Sequence, residues 1–511
     1  MKICSAAQIR KLDAYTIKHE PISSLELMER AAACFTRWLI QTYPDQQQPV
    51  NIICGIGNNA GDGLVAARLL HHSGYDVTVH TCQISPNRSE DFEANLKRLP
   101  GHGAIEAYPI TKGDPMPELP EGALIIDALF GSGLNRPVEG YWGDLLQHLN
   151  GLKVERVAID IPSGVYADQS TEGVAFQAHR TFSFELPKLA FFFPENAERV
   201  GAWTVRSIGL HPKAIAQAET PNFYLTEEIA KKLLRPRAKF SHKGTHGHAL
   251  LIMGSYGKMG AALLAARGAL RSGAGLVTLH VPKISYNIVQ TALPEAMVSL
   301  DEHELQFTEV PELHPYQAIG VGCGLGQGTL TQKALAQLVA QADQPLVLDA
   351  DALNIIGAQP DLLKALPAQS ILTPHPKEFE RLFGPTPNHF KRHELQIQKA
   401  RELGVIIVLK GAHTCVALPD GRSYFNSTGN AGMATGGTGD VLAGILTGLL
   451  AQSYTPEAAA LLGVFLHGLA GDCALQRESE ESLIAGDLPD ALGLAYRQLR
   501  KANNNDLSKN R

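Results

Sequence analysis

Asn430-Ala-Gly-Met-Ala-Thr-Gly-Gly-Thr-Gly-Asp440 runs directly into Val441-Leu-Ala-Gly-Ile-Leu-Thr-Gly-Leu-Leu450. A glycine-rich loop ends in one carboxylate, and a helix begins there. The apolar residues 441, 442, 445, 446, 449 and 450 keep helical spacing. Glycine lets the backbone turn tightly and approach a ligand closely. The first turn of a helix carries unpaired N–H groups and the positive end of the helix dipole. Together they form an anion site for a phosphate or an anionic transition state. Asp440 stands beside it, where a base for a substrate hydroxyl is needed. Asp440 as a simple helix N-cap fits any single match. The glycines and threonines directly before the carboxylate favour phosphoryl chemistry instead.

The whole chain sets wider bounds. At 511 residues it is too long for one core, and roughly two to three domains are expected. Hydrophobic residues make up 44% and charged residues 19%, the balance of a globular protein. The net charge of −6 gives no basic field for nucleic acid or a membrane surface, so neither is an expected partner. The cysteines at 4, 34, 54, 82, 323, 415 and 473 form no CxxC pair, and read as small core residues in a reducing compartment. Met1-Lys-Ile-Cys-Ser5 lacks the apolar stretch of a signal peptide. The apolar run near Ala458–Leu466 is stopped by His467 and reads as too short to span a bilayer. A soluble cytoplasmic protein is expected.

Two alternations of strand and helix follow. After an opening helical stretch over about 5–41, strands are predicted at Val50–Cys54, Asp76–His80, Ala123–Asp127 and Arg156–Asp160. Short apolar runs separated by helices indicate a parallel sheet covered on both faces. Prolines and charges over Pro212–Arg237 read as a linker, with a boundary near 225. A second alternation has strands at His248–Met253, Leu276–Val281, Ala318–Val321, Leu346–Asp349, Ile371–Thr373 and Val405–Leu409. Thr414–Leu418 and Arg422–Phe425 read as a hairpin with an Asp-Gly turn. Domains are placed at 1–225 and 226–500, with 501–511 a disordered tail.

In the first half, three polar loops lie just past strand carboxyl ends: 57–63 (GNNAGDG), 127–133 (DALFGSG) and 160–164 (DIPSG). Open α/β sheets bind ligands there. Asn59, Asp127 and Ser163 offer only oxygen ligands, which suit a hard cation rather than zinc. One such loop alone would be a turn; three in register outline a crevice.

These segments resemble the NAD(P)H-hydrate epimerase family, as does Leu186-Pro-Lys-Leu-Ala190 with Pro194-Glu195. The resemblance implies a Rossmann-like α/β/α sandwich interconverting the R and S forms of hydrated NADH or NADPH around a potassium ion. It implies Asn59, Asp127 and Ser163 as potassium ligands. It places Asn58, Asn59, Ala60, Gly61, Asp62, Gly131, Ser132, Gly133, Leu134, Asn135, Arg136, Pro137 and Asp160 against the hydrated dinucleotide. Ala60 departs from a usual glycine, and a methyl there narrows the loop. A carboxylate such as Asp127 or Asp160 is available for proton transfer, and the residues alone do not choose between them.

In the second half, Ser241-His-Lys-Gly244, Met259-Gly-Ala-Ala262, Thr373-Pro-His-Pro-Lys-Glu378, Lys410-Gly-Ala-His-Thr414 and Gly436-Gly-Thr-Gly-Asp440 stand out. Alone, His375 is a turn histidine and Lys410 an end-of-strand lysine. Histidines 242, 246 and 248 have no nearby cysteine, which argues against zinc. Together the segments resemble the ribokinase-like, ADP-dependent NAD(P)H-hydrate dehydratase family. The two resemblances cover about residues 5–500, in the order of the bacterial bifunctional nicotinamide nucleotide repair family.

The second resemblance implies that Lys410, Gly411, Ala412, His413, Thr414 and Gly439 bind the adenine nucleotide. It implies that Ala261, Gly324, His375 and Asp440 contact the hydrated substrate. Cys323 stands where proline is common. Asp440 then activates a hydroxyl that is phosphorylated in order to leave, with ADP as donor and Mg2+ accompanying it. A homo-oligomer is expected from the apolar residues of the leading helix. A vitamin or sugar kinase of the same fold would use the same loop, but has no use for the first half. A nucleotide-sensing protein with a dead site is opposed by intact Asp62, Asp127, Asp160 and Asp440.

Overall fold

The computed structural model describes residues 1–99 and 105–501; residues 502–511 of the expected tail lie outside the described residues. Contacts between residues divide the described chain into two units. One holds Lys2–Asn222 with Asn388–Phe390; the other holds Met1 and the remainder.

The first unit is built on seven parallel strands: β1 (Val50–Cys54), β2 (Val77–Cys82), β3 (Glu106–Ile110), β4 (Leu124–Ala128), β5 (Glu155–Ile159), β6 (Arg180–Phe184) and β7 (Ala202–Arg206). Their order is β3-β2-β1-β4-β5-β6-β7, so the topology reverses between β1 and β4. The crevice beyond the carboxyl ends of those two strands is where doubly wound sheets bind ligands. Every residue of β1 and β4 is buried, which explains why both are mostly apolar, with Asn51 and Asp127 as their polar members. Separate apolar clusters fill the two faces of the sheet, around Phe35, Leu39 and Leu70 on one and around Leu145, Leu146 and Phe176 on the other.

Two expectations for this unit are corrected. The leading stretch is two capped helices, Ala6–His19 and Ser24–Thr42, each opened by a Ser capping box. Their apolar residues Leu12, Leu27, Met28, Phe35 and Leu39 are buried within the unit. They are therefore not a surplus face awaiting a second copy. The glycine-rich 57–63 segment is not a loop either: the helix Asn58–His72 starts there, with Gly57 as its N-cap at φ −96°. Its glycines serve packing. A Cβ at Gly61 would lie 2.6 Å from Met28 Sδ, and one at Gly63 2.7 Å from Ala128 Cβ. Close approach thus overrides the poor helix propensity of glycine.

The second unit, also α/β, carries ten strands: β8 (Asn222–Leu225), β9 (His248–Ile252), β10 (Leu276–Val281), β11 (Met297–Leu300), β12 (Ala318–Val321), β13 (Leu346–Leu348), β14 (Ile371–Leu372), β15 (Ile406–Leu409), β16 (Cys415–Ala417) and β17 (Ser423–Asn426). Their order is β11-β10-β9-β12-β13-β14-β15-β16-β17-β8, with a switch point between β9 and β12. β9 to β15 run parallel, β16 and β17 form the expected antiparallel hairpin, and β15 pairs antiparallel with β16. The stretch read as a linker contains the helices Pro212–Gln217 and Glu227–Leu233 and the strand β8.

The predicted helix of the opening motif is Thr438–Ala451, and every residue from Val441 to Ala451 is buried. It lies against the helix Met259–Ser272 through glycine. A Cβ at Gly444 would fall 1.9 Å from Ala265 O, and one at Gly268 2.5 Å from Val441 O. The neighbouring helix Pro456–Ala474 continues through His467 for 19 residues. It is long and apolar enough to cross a membrane, which corrects the shorter run read from sequence; 83% of its apolar window is buried inside the protein.

Candidate active sites

In the first unit, one crevice of about 990 Å³ opens beyond β1 and β4. Asn58, Asn59 and Asp62 from the start of the Asn58–His72 helix line it, as do Gly131 to Pro137 and Asp160. Ala60 and Gly61 do not. Helical geometry turns both toward the core, and Ala60 is fully buried. The methyl of Ala60 therefore cannot narrow the site.

Asn59 on the crevice wall and Asp127 and Ser163 behind it meet around the Phe130 backbone. Ser163 Oγ donates to Asp127 Oδ1 (2.6 Å), and Ser163 N–H donates to Oδ2 (2.7 Å). Leu129 N–H donates to Asp127 Oδ1, Phe130 N–H to Ser163 Oγ, and Asn59 Nδ2 to Phe130 O (3.0 Å). Burial pushes the Asp127 carboxyl up to about 6, against the pull of these hydrogen bonds. Asp127 is 1% exposed and does not line the crevice, so it has no path to a substrate ring. That removes it as a candidate for proton transfer.

Asp160 faces the crevice in the left-handed region, at φ +63°. A non-glycine residue there is strained, and such strain gathers at working sites. It is held by Lys188, whose ammonium donates to Asp160 Oδ1 and to Ser183 Oγ (2.8 Å), and by the Phe184 N–H (3.2 Å). Sequence reasoning gave no role to Lys188, or to Asp13 of the helix Ala6–His19, which also lines the crevice.

In the second unit, the loops after β12, β13, β14 and β15 converge on the start of the Thr438–Ala451 helix. Gly437 caps that helix at φ +98°, where a side chain is disfavoured. Asp440 thus lies in the first turn. Half-buried His467 donates from Nε2 to Thr438 O (2.9 Å) and steadies this turn. Burial holds His467 down to about 4, so it stays neutral.

Lys410 Nζ donates to Asp349 Oδ1 (2.6 Å) and lies 3.8 Å from Glu378. The cation expected for a phosphate is therefore tied to two carboxylates. Cys323 Sγ, Asp349 and Asp440 have ligand atoms within 4.8 Å of one another. Burial raises the Asp440 carboxyl above its usual range; the Cys323 thiol opposes this, Asp349 adds to it and Lys410 opposes it. A Cβ at Gly439 would lie 3.4 Å from Lys410 Nζ, so the helix start and the ammonium face each other closely. Gly324, at φ +64°, sits against Ala261: a Cβ there would lie 3.1 Å from Ala261 Cβ.

His375 acts as the turn residue that its prolines suggest. Its Nδ1 accepts from the N–H groups of Lys377 and Glu378 and caps the helix Pro376–Phe383. Its side chain is 44% exposed, and Nε2 lies 3.4 Å from Glu378 Oε1. Pro374 O accepts from Lys410 N–H, joining this turn to the next loop. Gly411 to Thr414 close a tight turn through Thr414 Oγ1, and His413 Nδ1 bonds to Asn426 O (3.1 Å). Asp349 is the residue that sequence reading missed. Its signal was present, a carboxylate at a strand end like Asp127 and Asp160.

Residues 249–492 match the family described as NAD(P)H-hydrate dehydratase, and residues 24–190 match the YjeF-related protein N-terminus. The chain is 34% identical to the bifunctional NAD(P)H-hydrate repair enzyme of Moorella thermoacetica, over 98% of each chain. It is 36% identical to that of Escherichia coli, over 91% of this chain and 88% of the relative. The chain belongs to the bifunctional NAD(P)H-hydrate repair enzyme family. Accordingly it combines an NAD(P)H-hydrate epimerase and an NAD(P)H-hydrate dehydratase. Among solved structures it is similar to the ADP/ATP-dependent NAD(P)H-hydrate dehydratase of Bacillus subtilis co-crystallised with ATP/Mg2+. That likeness has 37% identity and a TM-score of 0.48, over 54% of this chain and 98% of that one. A ribokinase-like superfamily protein from Enterococcus faecalis is 29% identical with a TM-score of 0.49, over 55% of this chain and 98% of its own.

Proposed function

We propose that the two repair reactions are divided between the two sites just described, with ADP as the phosphoryl donor. In the first, R and S hydrates of NADH and NADPH interconvert. In the second, Asp440 takes the proton of the C6 hydroxyl of the S hydrate, and that oxygen attacks the terminal phosphoryl of the nucleotide. The N–H groups opening the Thr438–Ala451 helix receive the developing charge. Phosphate departs from C6 as the ring nitrogen donates its electron pair, C5 loses a proton, and NAD(P)H, AMP and phosphate result. The observation that carries this reading is Asp440 in the first turn of that helix, with the Lys410 ammonium facing Gly439.

Mg2+ accompanies the nucleotide as part of the substrate. Asp349 and Asp440 suit a hard cation, but the Cys323 thiol does not, and Lys410 already neutralises Asp349. With ADP, Mg2+ and a mixture of R and S hydrates, absorbance of NADH is expected to recover completely, and AMP and phosphate to appear in equal amounts. Recovery of only the S fraction would remove the epimerase. Phosphorylation of an added vitamin alcohol without NADH recovery would replace the dehydratase with a kinase.

A potassium ion fits Asn59, Asp127 and Ser163. The donors are all oxygen, and the buried Asp127 carboxylate has no cationic partner within 4 Å among the described residues. When bound, the ion would supply positive charge beneath the crevice and pin the 127–134 turn. Exchange of K+ for Li+ is expected to reduce epimerisation at least tenfold and to leave dehydration of pure S hydrate unchanged. Equal epimerase rates in the two salts would discard the ion.

A reducing compartment such as the cytoplasm is supported by seven unpaired cysteines. Assembly into a homo-oligomer is supported by Met297 and Leu300 of β11, exposed at one edge of the sheet together with Tyr286 and Ile288.

A further inference from the structure

We propose that Asp13 and Asp62 carry the protons of the epimerisation, with Asp160 and Lys188 as a fixed ion pair that positions them. The inference rests on the epimerase reading of the first unit. Both carboxyls line the crevice, Asp13 from the helix Ala6–His19 and Asp62 from the start of the helix Asn58–His72. Neither takes a hydrogen bond, or an ion pair within 4 Å, from the described residues. Every other carboxylate considered for the reaction is engaged. Asp127 is outside the crevice and bound by Ser163. Asp160 takes Lys188 and the Phe184 N–H, and Lys188 is nearly fully buried. Glu185 accepts from the N–H groups of Ile208 and Leu210.

The surroundings separate the two free acids. Asp13 is faced by Asp160, Lys188, Glu185 and Asp62, with Arg10 one turn away on its own helix. Burial and the negative charge of Asp160 push Asp13 up to about 6, while Lys188 restrains it. Asp62 goes well above its usual range through burial, then Asp160, Asp13 and Asp91. Asp62, the more deeply desolvated of the two, is biased toward its protonated form, while near neutral pH Asp13 has mostly lost its proton. Two carboxyls pushed apart in this way supply an acid and a base.

The step balances without an outside reagent other than water. Asp62 gives its proton to the C6 hydroxyl. The C6–O bond breaks, its electron pair leaves on water, and the N1 lone pair closes a C6=N1 iminium. A water molecule attacks C6 from the opposite ring face and loses a proton to the Asp13 carboxylate. No atom is oxidised or reduced, and a proton returning from Asp13 to Asp62 resets the pair.

The test uses the full chain with R hydrate and no nucleotide, so that dehydration is silent, and separates the epimers by chromatography. The kcat/KM for epimerisation of the unaltered chain is expected to rise with pH through about 6. Asp13→Asn should lower kcat at least 100-fold and remove that limb. Asp13→Glu should restore part of the rate and the limb. Asp62→Asn should lower kcat comparably while the limb stays, and thermal melting should report a folded chain in each case. An unaltered chain without the limb, or Asp13→Asn with more than a third of the rate, would overturn the assignment alone. An unaltered chain that does not epimerise would overturn the reading beneath it.

Discussion

Asp440→Asn is expected to lower dehydration about 1,000-fold while epimerisation continues at its normal rate. A general base contributes roughly 100- to 10,000-fold, and no other carboxylate of the site is free to replace it. Asp349 is committed to Lys410, and Glu378 caps the helix that starts at Pro376 while facing the same ammonium. The amide keeps the volume and the position in the first helical turn, so packing is preserved. The pH dependence should agree. Asp440 must be a carboxylate to accept the proton, and burial raises it, so activity should fall on the acid side at a higher pH than an ordinary carboxylate would give. Dehydration of pure S hydrate with ADP, followed at the NADH band, measures both effects. A variant retaining a tenth of the rate would sink the role assigned to Asp440.

The second large effect concerns the seat of that carboxylate. Gly444→Ala should destabilise the second unit by about 3 kcal/mol, or roughly 10 °C in melting temperature, and reduce dehydration as well. Alanine is the better helix former by about 1 kcal/mol. At this position the gain is lost, because the new methyl would meet Ala265 O at 1.9 Å. Gly448 repeats the pattern one turn on, with Ser272 Oγ at 2.2 Å and Ala269 O at 2.7 Å. The helices Met259–Ser272 and Thr438–Ala451 cannot both keep their positions around a larger side chain. Exposed Gly493 has open space around its Cβ, so Gly493→Ala should be neutral or stabilising by up to about 1 kcal/mol. Melting curves of the two variants decide the matter; equal shifts would refute the close-contact account.

Much of this arrangement was legible in the amino-acid order. Apolar runs at Val50–Cys54 and Leu124–Ile126 announced buried parallel strands because burial on both faces leaves no place for polar alternation. Arg180-Thr-Phe-Ser-Phe184 and Ala202-Trp-Thr-Val-Arg206 escaped because polar residues interrupt them toward the edge of the sheet. Asn58–Gly63 was misread for another reason. Local composition spoke for a loop, and only the nearness of Met28, Cys54 and Ala128 makes glycine the residue a helix needs there.

The sites divide along the same line. Asp440, Asn59 and Asp160 follow strands or open helices, and position alone marks them. Asp13 sits on the polar side of an ordinary amphipathic helix, and nothing local distinguishes it from Lys11 or Lys18. Lys188 belonged to a noticed segment, yet its role depends on Asp160, 28 residues away. Partnerships across such distances exist only once the chain has folded.

The last strand of the second sheet bears on where this protein can be severed. β8 pairs beside β17, Leu225 is fully buried, Phe223 stacks on Tyr424 at 5.0 Å, and Ser427 Oγ donates to Leu225 O. A break after residue 225, where composition suggested the seam, would carry this strand off with the wrong half. It would strip β17 to a bare row of amides and carbonyls, the kind of edge through which chains aggregate. Four residues of backbone thus set how the two enzymes could be inherited separately: the gene for a free-standing dehydratase must begin upstream of Asn222.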